Sequence, residues 1–132
     1  MEILVKSKLF FEHRTLGELT LDKGYYYYIG SAQRNLAQRV ERHLRKDKNL
    51  HWHIDYLTTQ PKAEITNTYL VPNKNKNDEC KLVKKLEQNL DCNHVIRGFG
   101  NSDCNVCVSH LLYSKKKIIW KEVGYTQLLN VL

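Results

Sequence analysis

Residues 24–43 read GYYYYIGSAQRNLAQRVERH, and the reading of this stretch decides the architecture. A tyrosine run bracketed by Gly24 and Gly30 predicts a short strand. Side chains alternate on a strand, so Tyr25, Tyr27 and Ile29 face one way while Tyr26 and Tyr28 face the other. Four large aromatics are too many for one core face, which predicts that at least one phenol row looks into a cleft or solvent. Gly30 ends the strand at a turn, and Asn35 follows as a helix N-cap with Gln38 as its capping-box partner. Along that helix Leu36, Ala37, Val40 and Leu44 share one apolar arc at about 100° per residue. Arg39 and His43 lie a turn apart on its rim. Arg42, Arg45 and Lys46 point further out, as candidate nucleic-acid contacts. A strand ending in phenols and turning into a helix that offers Arg and His suits a phosphate ester. The cation grips the phosphate, and phenol or imidazole handles protons.

The rest of the chain sets the frame. Its 132 residues suffice for one domain, 1–132, with a real core. Lys plus Arg number 21 against 14 Asp plus Glu, a formal net charge of +7 that favours nucleic acid or an acidic surface as partner. Four cysteines without disulfide-like spacing predict a reducing cytoplasm. The opening MEILVKSKLFF is interrupted by Glu2, Lys6 and Lys8, so neither a targeting peptide nor a membrane segment is expected.

Upstream, residues 2–11 read as a strand with a break at Lys6-Ser7-Lys8, and Thr15 to Leu21 as a hairpin arm. Asp22-Lys23-Gly24 is a turn into the tyrosine strand. Downstream, His51-Trp52-His53-Ile54-Asp55 reads as the start of a short helix with a surface His–Asp pair, as a site contributing His53 in preference to His51, or as a metal site with His51, His53 and Asp55 as ligands. Imidazole, which ordinarily titrates at ~6.5, can exchange a proton near neutrality. Ala63 to Val71 alternates as a strand, and Asn73 to Asn77 is a polar loop. Asp78 then caps a helix to about Leu90 with Leu82, Val83, Leu86 and Leu90 as its core stripe. Projection puts Glu79 in the centre of that stripe, where a carboxylate is costly unless paired or metal-bound; the other reading is that, in the first turn, it reaches out to favour the helix dipole. Cys104, Cys107 and His110 present zinc-type donors at half-site spacing, which Cys80, Cys92 or a histidine could complete. A structural loop with small buried thiols, or a redox pair, fits the same residues. His110 to Tyr113 and Ile118 to Trp120 read as strands. The expected fold is α+β, a small antiparallel sheet flanked by helices.

Tyr28-Ile29-Gly30-Ser31-Ala32, followed by Arg39-x-x-x-His43, resembles the second half of the GIY-YIG nuclease signature. The resemblance extends through His51-Trp52-His53-Ile54-Asp55, Glu79-Cys80 and Phe99-Gly100-x-Ser102-Asp103-Cys104-x-x-Cys107-x-Ser109-His110-Leu111, motifs similar to a small branch of that superfamily. It covers about residues 1 to 113. It implies a GIY-YIG-like nuclease domain with Tyr28 and a histidine activating water, Arg39 stabilising phosphate charge, His43 positioning, and Glu79 holding one divalent cation. A hard oxygen ligand suits Mg²⁺ or Mn²⁺. The family's first-strand Gly-x-Tyr is absent, since this chain opens Met1-Glu2-Ile3, and Tyr26 is the candidate substitute phenol. The expected activity is metal-dependent hydrolysis of phosphodiester bonds in DNA, with RNA as the other substrate class. Two alternatives stand beside it: a non-catalytic nucleic-acid-binding module on the same scaffold, and a zinc-stabilised interaction domain.

Overall fold

The computed structural model describes residues 1–30, 35–70, 77–89, 93–94, 96, 99, 109–120 and 129–130. Strands β1 (Glu2–Val5), β4 (Gly24–Tyr28), β5 (Ala63–Asn67), β7 (Asn93–His94) and β8 (Leu111–Ser114) form one sheet in the order β5-β1-β4-β8-β7. Every neighbouring pair in it is antiparallel. The polar break at Lys6-Ser7-Lys8 divides β1 from β2 (Leu9–His13), which pairs with β3 (Gly17–Leu21) as a separate hairpin. Gly17 takes a φ of 80° opposite His13, the left-handed position that closes a short hairpin loop. A second pair joins β6 (Tyr69–Leu70) to β9 (Leu129–Asn130). The helices are α1 (Leu36–Leu44), α2 (Asp55–Thr58) and α3 (Asn77–Asn89). The α+β fold of a small antiparallel sheet with flanking helices is therefore the one the sequence predicts.

The tyrosine strand β4 is the middle strand of five, and both of its faces are covered. Tyr26 joins Ile3, Val5, Leu9, Phe11, Leu21, Ile54, Leu57 and Phe99 in one core, beneath the β2–β3 hairpin and α2. Tyr27 joins Ile29, Val83, Leu86, Leu112 and Ile118 in a second core, beneath α3. The alternation holds, but neither face is left to solvent: Tyr26 and Tyr27 are both buried, and Tyr25 and Tyr28 are half-buried. Gly24 has a φ of 151°, and a Cβ there would lie 2.5 Å from the Tyr113 ring, so this position admits only glycine.

Three local expectations are corrected. Asn35 precedes α1 in the left-handed conformation (φ 57°, ψ 40°) and makes no side-chain cap hydrogen bond, so no capping box with Gln38 forms. The apolar arc of α1 is not core: Leu36 and Leu44 are exposed, and no residue of the helix is fully buried. The segment Ile118 to Trp120 is not a strand. Ile118 is buried, Ile119 is exposed, and Trp120 stacks edge-on against Tyr27 at 5.9 Å.

Candidate functional site

Polar contacts, not apolar ones, dock α1. The Arg42 guanidinium grips Asp55 through both nitrogens, each at 2.9 Å. Asp55 is fully buried, and Oδ2 also accepts the backbone N–H groups of His51 and Trp52 at 2.9 and 2.8 Å. Burial alone would raise the Asp55 pKa, but these hydrogen bonds and the Arg42 charge outweigh it and hold the carboxyl at about 2. Both oxygens are thus committed inside the protein. This excludes a surface His–Asp pair and leaves Asp55 unavailable as a metal ligand.

The outward row of cations is largely structural. Lys46 Nζ donates to the carbonyls of Thr58 and Gln60, at 2.9 and 2.7 Å, and to that of Ala63, which ties the end of α2 to β5. Lys48 Nζ donates to the carbonyls of Arg42 and His43 at 3.1 and 2.9 Å, satisfying the open end of α1. Arg42 and Lys46 therefore do not reach for phosphate, contrary to expectation. Arg45 is exposed and pairs with exposed Glu41 at 3.2 Å, a contact worth little.

With α1 held this way, its rim residues are placed. The Arg39 guanidinium lies over the Trp52 ring at 5.4 Å. His43 Nδ1 is 4.0 Å from Asp55 Oδ1 and is a buried nitrogen with no hydrogen-bond partner. Burial, with cationic Lys48 behind it, pulls the His43 pKa down to about 4 despite Asp55, so the ring is neutral near pH 7. The proton affinity is then too low for an efficient general base at neutrality, and a positioning role suits it better.

Phe99 links the strand end to the histidine loop. Tyr28 meets its ring edge-on at 6.4 Å, and His53 meets it at 5.7 Å. His53 also stands edge-on to His13 at 4.8 Å, and His13 stacks on Tyr56 at 4.2 Å. The structure thus groups Tyr28, His53, Arg39 and His43 on the face of the sheet that carries α1 and α2. Tyr26 is different. It is fully buried, its hydroxyl donates to the Asp22 carbonyl at 2.7 Å, and burial drives its pKa upward. It is a core residue and does not replace the missing first-strand phenol.

Glu79 lies on α3, and its side chain falls outside the described residues, as do Cys104 and Cys107. Among the described residues no three His, Cys, Asp or Glu side chains cluster as a metal site. His110 is described and buried, with Nε2 at 3.8 Å from Cys80 Sγ.

A residue passed over in the sequence is His13. It is buried, and its Nδ1 accepts hydrogen bonds from the Thr15 and Leu16 N–H groups at 3.1 and 3.2 Å. Accepting there places its proton on Nε2, a buried atom with no hydrogen-bond partner. The signal was available, since Leu9, Phe11 and His13 alternate inward along β2.

A family model described as "Domain of unknown function DUF123" matches residues 2–127. The chain belongs to the DUF123 family. Neither a curated protein nor a solved structure matches it. Among the described residues, no helix of this DUF123 chain is long and apolar enough to cross a membrane.

Proposed function

We propose that this DUF123 chain is a GIY-YIG-type endonuclease that hydrolyses phosphodiester bonds in DNA with one divalent cation. The observation that carries the reading is the continuous run of contacts from Tyr28 through Phe99 to His53, with Arg39 on neighbouring Trp52. It brings a phenol, an imidazole and a guanidinium from three sequence regions to one side of the sheet. Their chemistry is that of phosphoryl hydrolysis. In the proposed reaction the Tyr28 hydroxyl orients the attacking water and His53 accepts its proton. Arg39 stabilises the negative charge that grows on the phosphate oxygens. His43, neutral beside Asp55, donates or accepts a hydrogen bond that fixes phosphate or the Tyr28 hydroxyl.

The donor chemistry fits a hard cation: the carboxylate of Glu79 would hold Mg²⁺ or Mn²⁺, which keeps most of its waters. Bound there, the ion supplies positive charge to the phosphate and leaving oxygen. The test is incubation with duplex, flap and junction DNA and with single-stranded RNA, in Mg²⁺, in Mn²⁺ and in chelator. Cleavage that requires the cation and disappears in Glu79→Ala, with far-UV circular dichroism unchanged, is the expected result. Metal-dependent cleavage that survives Glu79→Ala removes that residue from the site.

One observation favours a second reading, a DNA-binding module without turnover. The first-strand phenol is missing, β1 places Ile3 in the core, and Tyr26 is bound to Asp22. Absence of cleavage on every substrate, with duplex binding retained, selects that reading.

A further inference from the structure

Cys80, near the start of α3, and His110, just before β8, meet with Sγ and Nε2 3.8 Å apart. His110 is 3% exposed, and its main chain is fixed on both sides. Its N–H donates to the Phe99 carbonyl at 2.9 Å, and its carbonyl accepts the Ile29 N–H at 3.0 Å. Next to it, Ser109 Oγ accepts the Leu111 N–H at 3.0 Å. The imidazole therefore projects from a rigid base, as a ligand must.

A thiol is a weak hydrogen-bonding partner for a buried imidazole. Thiolate sulfur and imidazole nitrogen are, however, the two donor types that structural zinc takes. With Zn–S at about 2.3 Å and Zn–N at about 2.0–2.1 Å, two such ligands of a tetrahedral ion stand about 3.6 Å apart. The observed separation of 3.8 Å is close to that span. We propose that Cys80 and His110 are two ligands of a structural zinc ion that fastens the start of α3 to the start of β8.

Binding releases the Cys80 proton, so that thiolate and neutral imidazole face the metal. In the sequence, Cys104 and Cys107 precede His110 by six and three residues. Both thiols lie outside the described residues, so the site as described consists of Cys80 and His110. This site is independent of the nuclease reading: it needs no turnover, and its soft sulfur donor is unlike the carboxylate of Glu79.

Metal analysis of the purified full chain tests it. The expected result is about one zinc per chain, the number one closed site holds. Cobalt exchanged for it gives a thiolate-to-metal charge-transfer band. Cys80→Ser weakens zinc binding more than about tenfold in competition with a chromophoric chelator and reduces that band; His110→Gln weakens binding likewise. A measurement free of variants accompanies these: zinc should slow alkylation of Cys80 in the wild-type chain, read by peptide mass mapping. Failure to take up one equivalent of zinc or cobalt overturns the proposal. So does equal alkylation of Cys80 with and without zinc, or undiminished zinc affinity in Cys80→Ser.

Discussion

Four consecutive tyrosines share one side chain and meet four different surroundings. The Tyr26 hydroxyl donates to a backbone carbonyl, and that of Tyr27 donates to buried Glu2 at 2.8 Å while accepting the Ile118 N–H at 2.8 Å. Tyr25 and Tyr28 are half-buried, and only Tyr28 stands against Phe99 with the histidine loop behind it. Tyr26→Phe is therefore expected to cost about 1 kcal/mol of stability, one internal hydrogen bond, and to leave DNA cleavage unchanged. Tyr28→Phe should lower the cleavage rate with little shift in the unfolding midpoint. Urea unfolding and single-turnover cleavage of both variants check this, and the opposite pattern would move the phenol's role to Tyr26. Alternation in the sequence gives the face of each tyrosine correctly. It does not give what covers that face, because the position of β4 between β1 and β8 depends on pairings with distant segments. The same limit hid His13: its inward phase was readable, but its bonds to Thr15 and Leu16 depend on the turn that follows.

At the scale of elements, α1 shows where apolar spacing misleads. Its arc of Leu36, Ala37, Val40 and Leu44 has helical periodicity, yet Leu36 and Leu44 stay exposed and the helix is held by Arg42, Lys46 and Lys48. The helix itself was legible, and so was the core stripe of α3, where Val83 and Leu86 are fully buried. The partner of Arg42 was not, since Asp55 lies 13 residues on and nothing in local spacing links the two. Removing Arg42 alone takes the bidentate partner from a buried carboxylate and leaves Lys48, 3.8 Å away, as its cation, so Arg42→Ala is expected to cost about 3 kcal/mol. Arg42→Ala with Asp55→Ala should cost less than the sum of the single changes, which a double-mutant cycle of urea unfolding measures; strict additivity would mean the pair is uncoupled. Acid should act in two windows. The folded-state pKa of His43 is depressed from 6.5 to about 4, so the unfolded chain takes that proton first, and its contribution is lost as pH falls from 6.5 toward 4. Asp55, depressed from 3.8 to about 2, keeps its contribution above 3.8 and loses it between there and 2. Burial also lowers the His13 pKa, which adds to the upper window. Stability measured from pH 8 to 3 should fall in the upper window, and His43→Gln should flatten that fall.

For the whole molecule, the net charge of +7 says less about DNA than it first suggests, because several cations are engaged within the protein. Arg39 is half-buried on the rim of α1, over the face of an exposed tryptophan. A phosphate approaching the Tyr28–Phe99–His53 side would meet it, whereas Lys46 is turned toward three main-chain carbonyls. This division has a measurable consequence in the salt dependence of binding, where each neutralised phosphate releases counterions and steepens the slope. Binding of a labelled duplex by fluorescence anisotropy, in chelator so that no cleavage intervenes, should weaken with rising salt. Arg39→Gln should reduce the slope of log affinity against log salt by about 1, the amount expected of one lost phosphate contact. Lys46→Gln should lower stability by freeing those carbonyls, yet leave the slope as it was. A slope near zero in the wild-type chain would remove DNA as the partner altogether. A slope that falls in Lys46→Gln but not in Arg39→Gln would place the phosphate on the α2–β5 side of the fold instead.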